Sequence, residues 1–477
     1  MLLRRLAVWV ALVVWACVSG AYGWSPVRES VPEPAREFRA AWVATVFNLD
    51  WPSSPGLSAA AQKNELLNIL NRAVKLKLNA IILQIRPNAD ALYKSSYEPW
   101  SAWLSGPGKD PGYDPLAFAI AEAHRRGIEL HAWINPFRAT VSDKPVGRGH
   151  ISLRRADLIK RAGSTTMLNP SHSASQQHVL NVILDIVRRY DIDGVHLDDY
   201  FYPYPPHHNI ADGRTPAQRR AAIDSFVSTL YSRVKAQKPW VRVGISPFGI
   251  WQPGYPSGVP AGVNAYEHLA CDAKKWLERG WVDYLAPQLY WRIDSPQSFT
   301  ALMRWWVSVN PRRPVWPGIA SQRIKSSEDP GRPASEIGRQ IDAARQLARQ
   351  SSGQLFWSWK SLATDRGGVT KELAARYGGY AVPPAMPWCN SARPATPVAY
   401  AVDDRSGVHI SWSPTDKNAR KWVIQARRSG QWTTLCILPG NRYRVFFPHS
   451  MLKGVDRLAV RPISAYGISG VPATLAR

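Results

Sequence analysis

The chain has 477 residues, of which 45% are hydrophobic and 22 are tryptophan. That is longer than one ordinary domain and too apolar for wholesale disorder; a barrel of roughly 250 to 350 residues with one small module fits it. Sixty Lys and Arg against 35 Asp and Glu give a net charge of +25, which favours an anionic partner. Nucleic acid is set aside because no helix-turn-helix, RNA-recognition or zinc-finger pattern is visible, which leaves an acidic polysaccharide.

The first residues read as an export signal. Arg4 and Arg5 precede the apolar run LAVWVALVVWACV, and the small residues Ser19, Gly20, Ala21 and Gly23 follow. This places a signal peptide over residues 1–23, too short for a membrane span, with cleavage near Ala21 to Gly23. An uncleaved anchor is one alternative. Another is a lipid anchor at Cys17, because Val14-Trp15-Ala16-Cys17 loosely resembles a lipobox, although Trp15 fits it poorly. The expected location is the periplasm or cell envelope, and the membrane is met only through this segment.

From residue 37 to about 380, short apolar runs alternate with helical patterns. Strands are predicted at 37–46, 79–88, 129–138, 194–203, 241–249, 284–291, 315–324 and 353–362. Amphipathic stretches such as AAQKNELLNILNRAVKLK, SASQQHVLNVILDIVRRY and ASEIGRQIDAARQLARQ lie between them. Many open on Ser, Asp or Pro and several close on Gly or Asn, which is helix-cap chemistry. Eight strands, each followed by a helix, predict a (β/α)8 TIM barrel rather than an open sheet, and no Gly-rich dinucleotide turn supports the latter. Residues from about 142 to 170 break the rhythm and read as a long loop on the active-site face.

A Pro-rich linker over 381–395 precedes residues 396–477, where seven short alternating segments predict a fibronectin type III-like β-sandwich. Its expected role is as a spacer or a glycan-docking module. Beyond the leader the thiols are Cys271, Cys389 and Cys436; they form no disulfide framework, and pairing of Cys389 with Cys436 stays open. Zinc-type spacings are missing, so neither a metal nor a cofactor is expected.

Barrel enzymes place their chemistry at the C-terminal ends of strands, on side chains of inward parity. In the fourth predicted strand His196, Asp198 and Tyr200 share one parity, and Asp199 adjoins them. Two carboxylates ending an apolar strand need a cause, since an unpaired buried charge is costly. Asp198, Asp199 and His196 are therefore the catalytic candidates, against the plainer reading of a loop-top Asp pair capping a helix. Same-parity polar tips recur at Gln84, Arg86 and Asn88, at Asn135 with Arg138 beyond it, at Gln288 and Tyr290, and at Lys360. Singly, each is more often a satisfied structural group. Together on one rim they suggest a polar ligand.

Aromatic residues add the substrate class. Trp42, Trp51, Trp100, Trp103, Trp133, Tyr200, Phe201, Tyr202, Tyr204, Trp251, Tyr255, Tyr290, Trp291, Trp357 and Trp359 fall near predicted rims. Sugar rings present flat C–H faces that stack on such side chains, so a carbohydrate cleft is expected. The substrate-binding candidates are Trp42, Gln84, Arg86, Asn88, Asn135, Arg138, Tyr200, Tyr202, Gln288, Tyr290, Trp291, Trp357 and Lys360. Trp305 and Trp306 lie mid-helix, where packing explains them equally well.

FRAAWVAT…DWP, LNAIILQIRPNADALY, LHAWINPFR, DGVHLDDYFYP, GISPFGIW and PQLYW, in that order between about 37 and 362, resemble the glycosyl hydrolase-like 10 family. The resemblance implies an exported bacterial barrel hydrolase, and its members include a division-site enzyme acting on peptide-free peptidoglycan strands. Cell-wall glycan is then the partner, with cell-division or envelope proteins as further ones. The muramic lactyl carboxylate, free once a stem peptide is gone, suits a basic protein. DGVHLDDY also looks like the chitinase pattern DGxDxDxE at Asp193, Gly194 and Asp198, but His196 replaces the middle Asp and Tyr200 the terminal Glu. Chitinase-type acid chemistry at that Glu is thus lost. A glycosidase still needs two groups, an acid and a partner for the oxocarbenium ion. Asp198 fills one role, and Asp199, Asp50, Glu98, Glu267 and Asp294 are open for the other. A non-catalytic glycan-binding barrel, or a hydrolase of another exported amino-sugar or acidic polysaccharide, are the alternatives.

Overall fold

A computed structural model describes residues 23–141, 145–348 and 352–477. The expected leader, Gly23 apart, and Cys17 lie outside the described residues. The chain divides into two compact units, Ala35–Asn390 and a second made of residues up to Pro34 with Ser391–Arg477.

In chain order the strands up to Trp357 are β1 (Ser25–Val27), β2 (Phe38–Val43), β3 (Ala80–Arg86), β4 (Glu129–Ile134), β5 (Arg138–Thr140), β6 (Ile159–Ala162), β7 (Thr165–Leu168), β8 (Gly194–Leu197), β9 (Arg242–Ile245), β10 (Tyr284–Leu285), β11 (Gly318–Ala320) and β12 (Gly353–Trp357). Eight of them form one parallel sheet in the order β10-β9-β8-β4-β3-β2-β12-β11. Its two edges are joined by parallel bridges, Leu285 to Val315 and Gln288 to Gly318. Helices follow the strands, among them Ala59–Lys75, Pro115–Arg125, Ser173–Arg189, Pro216–Gln237, Phe299–Val309 and Ala334–Ala348. The architecture is mixed α/β and consistent with a TIM-like barrel. The cap chemistry is present: Ser58, Asp114 and Thr215 accept from the first-turn amides of their helices, and Thr215 completes a capping box with Gln218.

Strand alternation separates two apolar sets. Ala41, Val43, Ile81 and Leu83 face the helices, while Phe38, Ala40, Trp42, Ile82, Tyr284 and Trp316 fill the interior. Within that interior Phe38 stacks on Trp316 at 4.0 Å between ring centroids, and Tyr284 leans on Trp316 at 4.6 Å. Two glycines make the room. A Cβ on Gly244 would lie 2.0 Å from the Tyr284 ring, and one on Gly194 would lie 2.5 Å from His131. The aromatic floor under the site therefore depends on glycine in two adjacent strands.

Several predicted strands end early in the structure. The continuous ladders of the segments 194–203 and 284–291 cover only Gly194–Leu197 and Tyr284–Leu285, and beyond Leu285 only isolated bridges at Gln288 continue the sheet. The segment read as a loop from 142 to 170 holds the helix Ile151–Arg154 and the strands β6 and β7, which join β5 in an antiparallel sheet of order β5-β7-β6. Those strands, four residues each, are too short to stand out by alternation. All three cysteines beyond the leader are free.

The second unit is all-β. Its strands are β13 (Val398–Asp403), β14 (Gly407–Ser413), β15 (Ala419–Arg428), β16 (Gln431–Pro439), β17 (Arg444–Pro448), β18 (Val455–Ser464) and β19 (Ala473–Ala476). They form sheets of order β13-β14-β17 and β1-β19-β18-β15-β16 around one core that includes Ile410, Trp412, Trp422, Ile424, Val460 and Leu475. The strand β1 gave no signal in the sequence. It pairs antiparallel with β19, from Ser25 with Ala476 to Val27 with Thr474, and Trp24 is buried in the same core. Glu29 pairs with Arg427 and Arg457, and Arg461 donates to Val31 O at 2.7 Å. Truncating Trp24 removes a large buried side chain, so Trp24→Ala should lower the stability of the all-β unit by about 3 to 5 kcal/mol. Denaturant unfolding followed by a probe in that unit measures this, and a loss below about 1 kcal/mol would show that β1 is dispensable.

Candidate active site

The site is centred on the residues that follow β8. With the strand ended at Leu197, Asp198 and Asp199 turn into the barrel mouth, and both are buried at 7% exposure. Asp198 accepts from the Asn135 side-chain amide and from Tyr200 N (3.3 Å). Asp199 accepts from the Tyr204 hydroxyl, and a hydrogen bond from the Gln288 side chain favours its charged form. Burial raises the pKa of both carboxyls. For Asp198 the nearby Arg138 guanidinium, the Tyr200 amide and the Trp133 indole oppose that rise. Asp199 has the Asp198 charge beside it as a second raising cause and is pushed up to about 7. The two neighbouring buried carboxyls titrate as a pair, and burial together with the adjacent Asp198 charge raises Asp199.

His196 belongs one layer lower, which corrects its place among the catalytic candidates. Its Nε2 accepts from the Trp42 indole at 3.1 Å and lies 3.1 Å from Ser246 Oγ, and its Nδ1 is 2.9 Å from the Tyr284 hydroxyl. An indole N–H only donates, so Nε2 carries the lone pair and Nδ1 the proton. Tyr284 in turn meets His131 Nδ1 at 2.9 Å, and His131 Nε2 is 3.3 Å from Glu129. Burial holds the His196 pKa well below its usual value, and His131 adds to this. A neutral imidazole with both nitrogens engaged below the mouth is a support for the floor. Trp42, 2% exposed, is part of the same layer and offers no face to a ligand.

Other candidates separate in the same way. Arg86 is fully buried: it is bidentate to Glu98 at 2.8 and 2.5 Å and donates to Asn135 O and Pro136 O at 2.5 and 3.0 Å. It cannot meet a substrate carboxylate. Tyr202 is closed off between Ser171 (2.6 Å) and Asp212 (3.1 Å), with Arg219 over its ring. Asn88 is 8% exposed and its amide is paired with Pro87 O and the Trp103 indole. Gln84 is buried, bonded to Thr45 N, Val46 N and Asn135. Among the rim aromatics Trp51, Trp103, Phe201 and Trp359 are core residues as well. Strand parity identified inward side chains, but it could not say how deep each one sits.

What remains partly open at the mouth is Arg138, Tyr200, Tyr204, Gln288, Tyr290, Trp291 and Trp357, with Lys360 exposed. Arg138 stacks on Tyr200 at 4.7 Å, Tyr200 meets Tyr204 at 6.2 Å, and Phe248 links Tyr204 to Trp291. Trp357 meets Trp42 and Trp133 edge-on. The link from Tyr204 to Asp199 was missed in the sequence, where Tyr204 was read only as an aromatic in a loop.

The list of second carboxylates also shortens. Glu98 is taken by Arg86 and His178, which hold it down at about 2. Asp50 accepts from Ala44 N, Ser358 Oγ and Lys360 N at 2.7 to 2.9 Å, tying the loop after β2 to the end of β12. Glu267 pairs with Arg220 at 2.9 Å and Asp294 with Arg339 at 3.0 Å. Asp50 and Asp199 are the two of these whose carboxyls burial raises, and Asp199 adjoins Asp198.

A model of the glycosyl hydrolase-like 10 family matches residues 37–331. The glycosyl hydrolase YngK of Bacillus subtilis (strain 168) is 37% identical over 424 residues, covering 82% of this chain and 82% of that protein. The glycosyl hydrolase DigH of Escherichia coli (strain K12) is 31% identical over 370 residues, covering 68% of this chain and 84% of that protein. Among solved structures, the PgaB (BpsB) glycoside hydrolase domain from Bordetella bronchiseptica is similar at a TM-score of 0.46 and 13% identity, over 71% of this chain and 98% of that one. The chain belongs to the glycosyl hydrolase-like 10 family and is a glycoside hydrolase.

Proposed function

We propose that this protein is an exported hydrolase of peptide-free peptidoglycan strands, with Asp198 and Asp199 as its catalytic pair. One observation carries the assignment: two adjacent buried carboxyls, unequally supported, at the mouth of the barrel. Glycoside hydrolysis needs a group that gives a proton to the leaving oxygen and a second that meets positive charge at the anomeric carbon. Asp199, protonated near neutrality, suits the first role, and Asp198, supplied with donors and a nearby guanidinium, suits the second. Tyr200, Trp291 and Trp357 offer faces for sugar rings, and Arg138 and Lys360 offer positive charge to a lactyl carboxylate. The proposed export rests on the leader-like residues 1–23. We read the all-β unit as a fibronectin type III-like sandwich on its sheets of three and four strands, β13-β14-β17 and β19-β18-β15-β16, with β1 added at the edge of the second.

Digestion of purified peptide-free glycan, with the products weighed, tests the assignment directly. Asp198→Asn should stay folded and lose cleavage by about 10³-fold, the size expected for an essential carboxylate; turnover near that of the unaltered protein would remove Asp198 from the mechanism.

The pH dependence follows from Asp199. Its carboxyl, raised to about 7, holds its proton below that pH and loses it above. Turnover by an acid that must be protonated should therefore fall about tenfold per unit above pH 7, and Asp199→Asn should lack that limb. A rate that keeps rising through pH 8 would assign the proton elsewhere.

Substrate choice gives a further check. Aromatic faces at the mouth accept bare sugar rings, and a peptide on every second sugar would crowd them. Amidase-treated strands should be cut, untreated sacculi should resist, and added salt should slow cleavage by screening the lactyl contact. Equal rates on both materials would refute this, and preference for chitin would move the substrate to a neutral polymer.

A further inference from the structure

Gln84 and Asn135 carry no charge and are fully buried, yet they connect the loop after β2 to Asp198. Each amide has an accepting oxygen and a donating nitrogen, so a row of amides has a direction. Here the direction is set at the far end. The backbone N–H groups of Thr45 and Val46 can only donate, and both meet Gln84 Oε1, at 2.8 and 2.9 Å. Gln84 Nε2 must then face the next residue, and it donates to Asn135 Oδ1 at 2.5 Å. Asn135 is left with Nδ2 toward Asp198 Oδ2.

We propose that Gln84 is a positioning residue for the hydrolytic reaction: it fixes which way the Asn135 amide points and so keeps Asp198 as the charged member of the pair. Gln84 touches no substrate in this scheme; two backbone amides 39 and 38 residues away in sequence decide the protonation pattern at the reacting centre through it. The inference rests on reading Asp198 and Asp199 as the catalytic pair.

The Gln84→Glu variant separates this from a space-filling role, because the shape hardly changes while the direction becomes dependent on pH. When the introduced carboxyl is protonated, its O–H donates to Asn135 Oδ1 and the native direction survives. When it is ionised it can only accept, Asn135 turns its Nδ2 toward it, and Asn135 Oδ1 then faces Asp198. Two acceptors meet, and Asp198 must take a proton to relieve them. Turnover of peptide-free glycan by Gln84→Glu should approach that of the unaltered protein at acid pH. It should fall roughly tenfold or more toward neutrality, where the unaltered protein still works. Gln84→Met, of similar volume, should be impaired at every pH. In parallel, the Asp198 carboxyl, followed by 13C NMR, should titrate about one pH unit or more higher in Gln84→Glu than in the unaltered protein.

Equal impairment of Gln84→Glu and Gln84→Met across the whole pH range, with melting temperatures unchanged, would reduce Gln84 to packing. An unmoved Asp198 titration would also overturn the inference. If Gln84→Glu fails to fold, Asn135→Asp tests the same row from its other end: activity confined to acid pH supports the inference and a flat profile opposes it. If the titration moves as expected but no form of the protein cleaves glycan, the link from Gln84 to the Asp198 charge stands while the catalytic reading, and with it Gln84's part in hydrolysis, fails.

Discussion

A carboxylate taken out of water at the end of a barrel strand costs several kcal/mol unless donors surround it, and the upper interior of this barrel is arranged around that need at Asp198. Asn135, on the neighbouring strand's tip, supplies one donor, the backbone at Tyr200 supplies another, and Arg138 supplies positive charge. Asp199 receives less, a tyrosine hydroxyl and an amide, and has a negative neighbour. That asymmetry between two side chains adjacent in sequence is what the proposed division into an acid and an ionised partner draws on.

Beneath the pair lies a layer with a different task. Trp42, His196, Tyr284 and His131 form a continuous run of hydrogen bonds across the barrel, and burial disfavours the charged form of His196 within it. Its rings fill volume that Gly194 and Gly244 leave open. The layer gives the carboxyls a buried aromatic underside, so the charges above it are felt strongly. Arg86 and Glu98 do a comparable job at the flank, where each satisfies the other away from the mouth.

Strand alternation and cap residues sufficed to read the eight strand–helix repeats, the inward parity of Gln84, Asn135, His196 and Asp198, and the seven tail segments. Depth was beyond that reading. Parity repeats every second residue, and His196 and Asp198 therefore look equivalent in sequence although one is floor and the other is mouth. Pairing was equally hidden: nothing local says that Arg86 is spent on Glu98, or that Tyr202 is spent on Ser171 and Asp212. The strand β1 escaped because three residues, Ser25 to Val27, are too few to show any period. Its partner β19 lies at the opposite end of the chain.

That last pairing bears on the order in which the protein can be completed. Ribosomes deliver β1 before any barrel strand and β19 after all of them, so the all-β unit cannot finish its larger sheet until β19 has been made, whereas every barrel strand is available earlier. Proteolytic trimming through Val27 would leave β19 as a bare sheet margin, open to a strand from another molecule. Whether Ser25–Val27 are kept thus sets whether this margin is sealed within one chain or offered to a neighbour.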